Sequence, residues 1–273
     1  MLKKRLIPVI LLKNGVVVQS RNFKRYQTIG SPTAVVERLS NWASDELIYL
    51  DISTEPYYDI RRNDLNHPQF ATIIDIIRHV SKKCFMPLTF GGGIRTLDDV
   101  LKRVQLGADK ITLNTIAVEN LSLISQCSRE FGSQCIVVSI DIKRNENNFP
   151  LVWKRGKEPT LFTPVEFAKI VESEGAGEIL LNSVDRDGTG IGFDLDVIDM
   201  VSRAVKIPVV AQGGAGKWED FADVLIKTNA SAVAAANIFH HSENSVYNAK
   251  KYLYNLGLPV RKPLELSDYK KNL

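Results

Sequence analysis

The sequence predicts an α/β protein, and more specifically a single (β/α)8 TIM barrel built from two half-barrel repeats. Three observations lead to this prediction: eight short apolar segments, amphipathic helical segments between them, and one internal repeat. The apolar segments are rich in Val, Ile and Leu and nearly uninterrupted, which is typical of strands buried on both faces. Eight strands that alternate with helices over about 250 residues favour a closed barrel over a doubly wound sheet, the other arrangement considered.

The predicted strands and helices alternate in chain order. The strands are residues 5–12, 46–52, 86–90, 110–114, 135–141, 178–183, 207–212 and 231–237. Helix starts are marked by Ser31-Pro32, by Thr96 with Asp99, and by Thr163-Pro164 with Glu166. These are N-cap, first-turn proline and capping-box signals, so each predicts where a helix begins after a strand.

The second half of the chain repeats the first. Residues 87–93 resemble residues 208–215, and each segment is followed by a helical pattern and then a strand that ends in Asn114 or Asn237. Such self-similarity indicates two half-barrels. We therefore predict one barrel domain over residues 1–260, with half-repeats at about 1–118 and 119–256, and a Lys-rich polar tail at 261–273.

Two asymmetries distinguish the halves. The first half carries an insertion of about ten residues, roughly residues 53–67, after its second strand, at the end where barrel active sites lie. Its aromatic and basic residues are Tyr57, Tyr58, Arg61 and Arg62. In addition, Asp141 ends the fifth strand, whereas its counterpart in the repeat is Leu11. One half offers a carboxylate to the barrel mouth and the other an alkyl group.

Two glycine loops are candidates for anion binding. Gly91-Gly92-Gly93 and Gly213-Gly214 each lie between a buried strand and a helix. Glycine lets the backbone approach a ligand closely, and the following helix start offers free N–H groups to an anion. A pair of tight turns is the alternative, but two matched loops on the phosphate-binding face of a barrel favour a substrate with two phosphates or a long anionic one.

Three aspartates are candidates for acid/base chemistry. Asp141 is the best of them because it ends an apolar strand at the mouth. Asp51 ends the second strand, where an aspartate also commonly caps a helix or forms a turn. Asp187, in the segment 185–189, is suited to orienting hydroxyls or moving protons, and an Asx-type turn explains it about as well.

Charged residues begin four of the strands. Arg5, Glu46, Lys110 and Glu178 belong to strands one, two, four and six, so they would lie at the bottom face of the barrel. They are compatible with a ring that gates the bore or with ordinary salt bridges at the rim. Taken alone, the residues favour the salt bridges.

Residues 1–36 carry seven basic residues and no acidic one. Much of this segment is predicted as a long loop at 14–30, which would be either a lid beside the phosphate sites or a solvated basic loop.

Composition excludes several classes of protein. With 44% hydrophobic and 24% charged residues, the 273-residue chain is an average globular protein, not a disordered or coiled-coil one. A net charge of +4 gives no indication of nucleic-acid binding. The three cysteines and four histidines lack ligand spacing, so we expect no metal and no cofactor. No segment is long enough to span a membrane, and the sparse cysteines fit a reducing compartment, so we expect a cytoplasmic protein.

Over about residues 1–256 the sequence resembles the cyclase subunit of imidazole glycerol phosphate synthase, the HisF family. The carrying motifs are KNG at 13–15, DEL at 45–47, GGGI at 91–94, GADK at 107–110, FGSQ at 131–134, GAGEILL at 175–181, DRDGT at 185–189 and GGAGK at 213–217. The resemblance implies a TIM barrel whose partner, a HisH-like glutaminase, docks on the bottom face and releases ammonia into the bore. It also raises the gate interpretation of the charged ring above the salt-bridge one.

The resemblance further implies two phosphate sites and a lyase/cyclase reaction. Ammonia would attack a ribulosyl aminoimidazole carboxamide nucleotide, giving imidazole glycerol phosphate and an aminoimidazole carboxamide ribotide. The implied phosphate and substrate positions are Gly92, Gly93, Asn114 and Thr115 on one side, and Asp187, Gly188, Gly213, Gly214, Ala236 and Asn237 on the other.

This sequence departs from the family pattern at the mouth. Of the two aspartates that the family uses as acid and base, Asp141 is present and Leu11 occupies the other position. Loss of a positioned acid/base group typically lowers a rate by about 10²–10⁴-fold. The other departures are Gln19 at a loop lysine position, and Asn182, Gln212 and Asn237 where Thr or Ser is usual. Together they indicate a changed substrate.

The segments ILLK at 10–13 and CFMP at 84–87 resemble a divergent branch of the family that accompanies a sugar amidotransferase in surface-polysaccharide biosynthesis. Three hypotheses follow, in order. The chain supplies ammonia for sugar amidation with reduced or lost cyclase activity; or it is a working cyclase of histidine biosynthesis, with Asp51 or Asp187 compensating for Leu11; or it is a non-catalytic scaffold that binds phosphate ligands.

Overall fold

The computed structural model describes residues 2–41, 44–61, 69–240 and 245–263, and within them eight parallel strands close into a barrel. The barrel strands are β1 (Arg5–Lys13), β4 (Leu47–Asp51), β5 (Leu88–Gly91), β6 (Lys110–Leu113), β7 (Ile136–Arg144), β10 (Glu178–Ser183), β11 (Val209–Gln212) and β12 (Ala232–Ala235). Each pairs with the next in this order, and β12 pairs with β1. The predicted (β/α)8 barrel is therefore confirmed.

Helices follow the barrel strands and cover the outside of the sheet. They are α1 (Pro32–Asn41), α2 (Ile73–Val80), α3 (Leu97–Gln105), α4 (Thr115–Glu119), α5 (Ser122–Phe131), α6 (Pro164–Ser173), α7 (Leu195–Ala204), α8 (Trp218–Lys227) and α9 (Val246–Asn255). Thr96 and Thr163 are N-caps with complete capping boxes, as the sequence predicts. No helix in these described ranges is long and apolar enough to cross a membrane.

The strands separate two apolar cores. A larger cluster fills the space between strands and helices, and a smaller one fills the bore. In the smaller cluster Ile7, Val9 and Leu11 alternate along β1, because successive side chains of a strand point to opposite faces. Inward-facing positions can therefore be followed along every barrel strand from the bottom face to the mouth.

The predicted long loop at residues 14–30 is wrong, because this segment forms an antiparallel hairpin. Strand β2 (Val16–Arg21) pairs with β1 and with β3 (Arg25–Gly30). Asn14 and Gly15 join β1 to β2 in the left-handed region, at φ 52° and 80°. An Asn-Gly pair between two strands is the characteristic sequence of a type I′ turn, so the local sequence specifies the hairpin.

A second antiparallel extension follows the fifth barrel strand. Strand β7 continues past Asp141 to Arg144 and pairs with β8 (Pro150–Lys154), which pairs with β9 (Glu158–Pro159). The prediction that Asp141 ends its strand is therefore wrong. Of the insertion at 53–67, residues 62–67, including Arg62, lie outside the described residues, as do residues 264–273 of the tail.

Candidate functional site at the barrel mouth

The four charged strand starts form one closed ring at the bottom face. Arg5 donates hydrogen bonds to Glu46, at 2.6 Å, and to Glu178. Lys110 donates to the same two carboxylates, at 3.0 Å and 2.9 Å. The side chains are only 8–21% exposed. Burial opposes ionisation of Glu46, yet Arg5 and Lys110 hold the pKa of its carboxyl below the usual value. The ring is thus a set of mutually neutralised charges across the entrance to the bore.

At the other end of the bore, Asp141 lies deep in the mouth. It is 5% exposed, and its Oδ1 accepts a hydrogen bond from Nδ2 of Asn182 at 3.2 Å. Burial raises the pKa of Asp141 to about 7, and Asp187 adds to the rise, against the hydrogen bonds from Asn182 and Asn114. A carboxyl with this pKa is able to take up or release a proton near neutral pH.

Leu11 faces Asp141 from the opposite wall. Strands β1 and β7 are four strands apart in either direction around the eight-stranded barrel. Leu11 is 6% exposed and belongs to the apolar cluster of the bore, which also contains Val18 and Leu50. The structure therefore places the alkyl group where a second carboxylate would face the first.

Two buried amides extend the wall beside Asp141. Asn182 on β10 is the register partner of both Asp141 on β7 and Gln212 on β11. Asn182 and Gln212 are 4% and 5% exposed, yet Asn182 Oδ1 and Gln212 Oε1 have no hydrogen-bond partner in the described part of the chain. Buried polar groups are normally paired, so these oxygens are suited to accepting hydrogen bonds from a ligand.

Asp51, the second aspartate candidate, is fully engaged by its own segment. Its carboxylate accepts hydrogen bonds from Ser53 N (3.0 Å), Ser53 Oγ (2.5 Å) and Tyr58 Oη (2.6 Å). Tyr58 is buried, and burial together with the Asp51 charge raises its pKa. The described part of the insertion thus holds Asp51 in place, which favours a structural role over proton transfer.

The first-half glycine loop lies next to Asp51. Gly92 has φ 99°, and a Cβ there would lie 2.0 Å from the Asp51 carbonyl oxygen, so only glycine fits. Asn114 donates to the carbonyl and hydroxyl oxygens of Ser139, at 3.2 Å each. Thr115 begins α4, and Arg155 Nε lies 3.4 Å from its hydroxyl. The four predicted residues on this side thus follow β5 and β6 at the mouth.

The second-half candidates converge on one cleft. The cleft is narrow and open to solvent. Its lining includes Asp187, Gly188, Gly213, Gly214, Ala236 and Asn237, together with Gln212. All six residues predicted for this side are therefore brought together.

The hairpin of β2 and β3 folds over this cleft. Ser20 Oγ donates to Asp187 Oδ2 at 2.7 Å, and the Ser20 backbone exchanges hydrogen bonds with the Asn237 side chain at 2.6 and 3.3 Å. Burial raises the pKa of Asp187, against hydrogen bonds from Ser20 and the Phe23 backbone. Of the two interpretations of the basic segment, this geometry favours the lid.

Sequence reasoning missed Arg103, which is 4% exposed on α3 and donates to the Gly92 carbonyl at 3.0 Å. The internal repeat holds the signal, since its second half has Val224 at the equivalent position. Elsewhere in the described ranges, no group of three His, Cys, Asp or Glu side chains is arranged to hold a metal.

Comparison with known proteins gives one family match and several similar sequences. Residues 5–245 match the protein family described as "Histidine biosynthesis protein". The chain is 38% identical over 263 residues to the imidazole glycerol phosphate synthase subunit HisF of Alkaliphilus metalliredigens. It is 44% identical over 262 residues to that of Hydrogenobaculum sp.. Both alignments cover 96% of this chain and 100% of the relative. The chain therefore belongs to the HisF family of imidazole glycerol phosphate synthase subunits.

Proposed function

We propose that this chain is an ammonia-conducting synthase subunit of a glutamine amidotransferase system, and that its own cyclase activity is reduced or lost. The ammonia would serve the amidation of a sugar in surface-polysaccharide biosynthesis, completed by a separate sugar amidotransferase. The observation that carries the loss of cyclase activity is Leu11, an alkyl group in the bore cluster opposite Asp141. One carboxyl remains where the reaction of the family uses two.

The bottom face supports ammonia conduction. The ring of Arg5, Glu46, Lys110 and Glu178 closes the entrance to the bore with groups that neutralise one another. A small neutral molecule passes such a ring more easily than an ion, because an ion meets unfavourable desolvation inside the apolar bore. A glutaminase docked on this face would release ammonia directly at the ring.

The bore supports the same route. Thr112 is two residues from Lys110 and Ser139 two residues from Asp141, so strand alternation points both hydroxyls inward. Thr112 is 3% exposed, and its Oγ1 has no hydrogen-bond partner among the described residues. Hydroxyls on one wall and the apolar cluster on the other give a path that a molecule able to donate and accept hydrogen bonds can follow.

The mouth supports a phosphorylated substrate with hydrogen-bond donors. The two glycine loops supply the anion sites, and Asn182 Oδ1 and Gln212 Oε1 supply unpaired acceptors beside Asp141. An acceptor that a ligand leaves unpaired in a buried site costs about 1–3 kcal/mol, so these two amides discriminate among substrates. Their presence fits a substrate different from that of relatives with short hydroxyl side chains there.

The decisive experiment is ammonia-dependent turnover of the ribulosyl aminoimidazole carboxamide nucleotide by wild type and Leu11→Asp. Restoring the carboxylate is expected to raise the rate by about 100-fold or more. Leu11→Asn, which is polar and of similar size but carries no acid, is the matched control and should gain little. Wild-type turnover at about 1 s⁻¹, a rate typical of enzymes, would contradict a lost cyclase.

A second candidate function is the cyclase reaction of histidine biosynthesis itself. It is favoured by relatives named as imidazole glycerol phosphate synthase subunits that match this chain over nearly its whole length, and by the near-neutral pKa of Asp141. The test is growth of a histidine auxotroph that lacks its cyclase subunit. Rescue by the wild-type chain would establish this function, and rescue only by Leu11→Asp would support the first proposal.

A further inference from the structure

A buried arginine lies directly behind the first-half glycine loop. Arg103 belongs to the last turn of α3, and its side chain runs back towards the start of the helix, the direction in which helical side chains lean. Nη1 donates to the Asp99 carbonyl at 2.8 Å and Nη2 to the Gly92 carbonyl at 3.0 Å. Nε is buried without a hydrogen-bond partner in the described part of the chain.

A cation at this position is unexpected for a structural residue. A buried charge is costly unless it is paired, and Arg103 forms no ion pair within the described ranges. Burial lowers the pKa of its guanidinium, and the carboxylates of Asp99 and Asp51 counteract this only from a distance. The equivalent helix of the second half, α8, has the fully buried Val224 there. An alkyl side chain at this position is therefore enough to pack the helix against its strand, so packing alone does not require the charge of Arg103.

The bond to Gly92 fixes the orientation of the loop. In a trans peptide the C=O and the next N–H point in opposite directions, so a Gly92 carbonyl held by Arg103 turns the Gly93 N–H to the other side. Gly93 is exposed, and its N–H has no partner among the described residues. A free N–H in front and a guanidinium behind form a local excess of positive charge.

We infer that Arg103 is a positioning residue for a phosphate group of the ligand at the Gly92-Gly93 loop. It orients the Gly93 N–H and provides the cationic charge that offsets the anion. This inference rests on the proposed function, since it requires the first-half loop to be a phosphate site. The second-half loop would depend instead on its own cleft, with Asp187 and Gly213, and would be independent of Arg103.

The test uses inorganic phosphate as the probe and backbone amide resonances of the full-length chain as the readout. Gly93 reports the first-half loop, and Gly214, its counterpart in the repeat, is the internal control. In wild type both amides should shift saturably with phosphate and not with chloride. In Arg103→Met the phosphate affinity measured at Gly93 should fall by about tenfold or more, and the affinity measured at Gly214 should stay the same. The reason is that the hydrogen bond from the Gly93 N–H to the charged phosphate would be weakened, and the loss of one such bond corresponds to about this change in affinity.

Two further variants separate positioning from folding. Arg103→Lys keeps the charge and should recover part of the affinity at Gly93, whereas Lys102→Met removes an exposed charge from the same helix and should change nothing. If Arg103→Met does not fold, Arg103→Leu, which is also neutral and has no donor for the Gly92 carbonyl, gives the same comparison. Equal phosphate affinity at Gly93 in wild type and the Met or Leu variant would overturn the role of Arg103 alone. Absence of phosphate shifts at both glycines in wild type would overturn the phosphate sites as well.

Discussion

Two carboxyls at the mouth have opposite environments, although both belong to apolar barrel strands. Three hydrogen bonds from Ser53 and Tyr58 satisfy Asp51, whereas burial dominates at Asp141 and raises its pKa to about 7. Perturbed carboxyls of this kind are concentrated at functional sites. At the scale of single residues, we therefore expect Asp141 to exchange protons. Asp51 instead holds the segment of Ser53 and Tyr58 in place.

The raised pKa of Asp141 predicts a pH-dependent stability. Between about pH 4 and 7 the folded chain keeps a proton on Asp141 that the unfolded chain has lost, so the free energy of unfolding falls as pH rises through this window. The contribution is at most about 4 kcal/mol for a shift of this size. Asp141→Asn cannot ionise and should be more stable than wild type at pH 8, with a smaller difference at pH 5, in urea unfolding.

Asp51→Asn is the control for this prediction. It replaces an acceptor of three hydrogen bonds, so it should lower stability at both pH values. A difference between Asp141→Asn and wild type that is the same at pH 5 and pH 8 would contradict a near-neutral Asp141.

At the scale of elements, the sequence predicted the barrel strands well and the additions to them poorly. Buried parallel strands are continuous apolar runs, which periodicity detects. The hairpin of β2 and β3 was missed because its basic residues suggested a loop, although Asn14-Gly15 specifies the turn. Arg103 was missed for a different reason. Its burial depends on the packing of α3 against the loop, which no local pattern encodes.

A single substitution of Asn237, which contacts the β2–β3 hairpin from the end of β12, should make the hairpin open more often. Asn237 holds the Ser20 backbone through two hydrogen bonds, so Asn237→Ala should favour local opening of β2 and β3. Two hydrogen bonds contribute about 2 kcal/mol together, which corresponds to roughly tenfold or more in the population of the opened state. Tryptic cleavage after Arg21, Lys24 and Arg25, followed by mass spectrometry, measures this population.

Asn229→Ala is the matched control for the hairpin. The Asn229 side chain also donates a hydrogen bond to a backbone carbonyl, that of Ser202. Asn229 precedes β12, whereas Asn237 follows it, so Asn229 lies at the other end of the strand from the hairpin. Cleavage at the three hairpin sites should stay at the wild-type rate in this variant. Equal rates in Asn237→Ala and wild type would show that other contacts, such as Ser20 with Asp187, hold the hairpin closed.

At the scale of the whole molecule, the charged ring joins the two half-repeats. Arg5, Glu46 and Lys110 belong to the first half and Glu178 to the second. The ion pairs of Glu178 with Arg5 and with Lys110 therefore link the two halves at the bottom face of the barrel. From the sequence, these four residues fitted either a gating ring or ordinary salt bridges at the rim. The closed pattern of four contacts is visible only in the folded barrel, where strands far apart in the chain meet. If a glutaminase docks on this face as proposed, the same ring would lie between that glutaminase and the bore.

Removing one cation from the ring should destabilise the barrel in a pH-dependent way. Lys110→Met leaves Glu46 and Glu178 to share Arg5, and a partly buried carboxylate that loses a hydrogen-bond partner costs about 1–3 kcal/mol. The pKa of Glu46 is lowered by its partners, so this stabilisation is present at neutral pH and lost as pH falls below the usual value for a glutamate. Urea unfolding should therefore show the full difference from wild type at pH 7 and a smaller one near pH 4.

Lys102→Met, which removes the same charge from an exposed pair, should leave stability nearly unchanged at both pH values. If the two variants behave alike, the ring stabilises the barrel no more than an ordinary exposed salt bridge does.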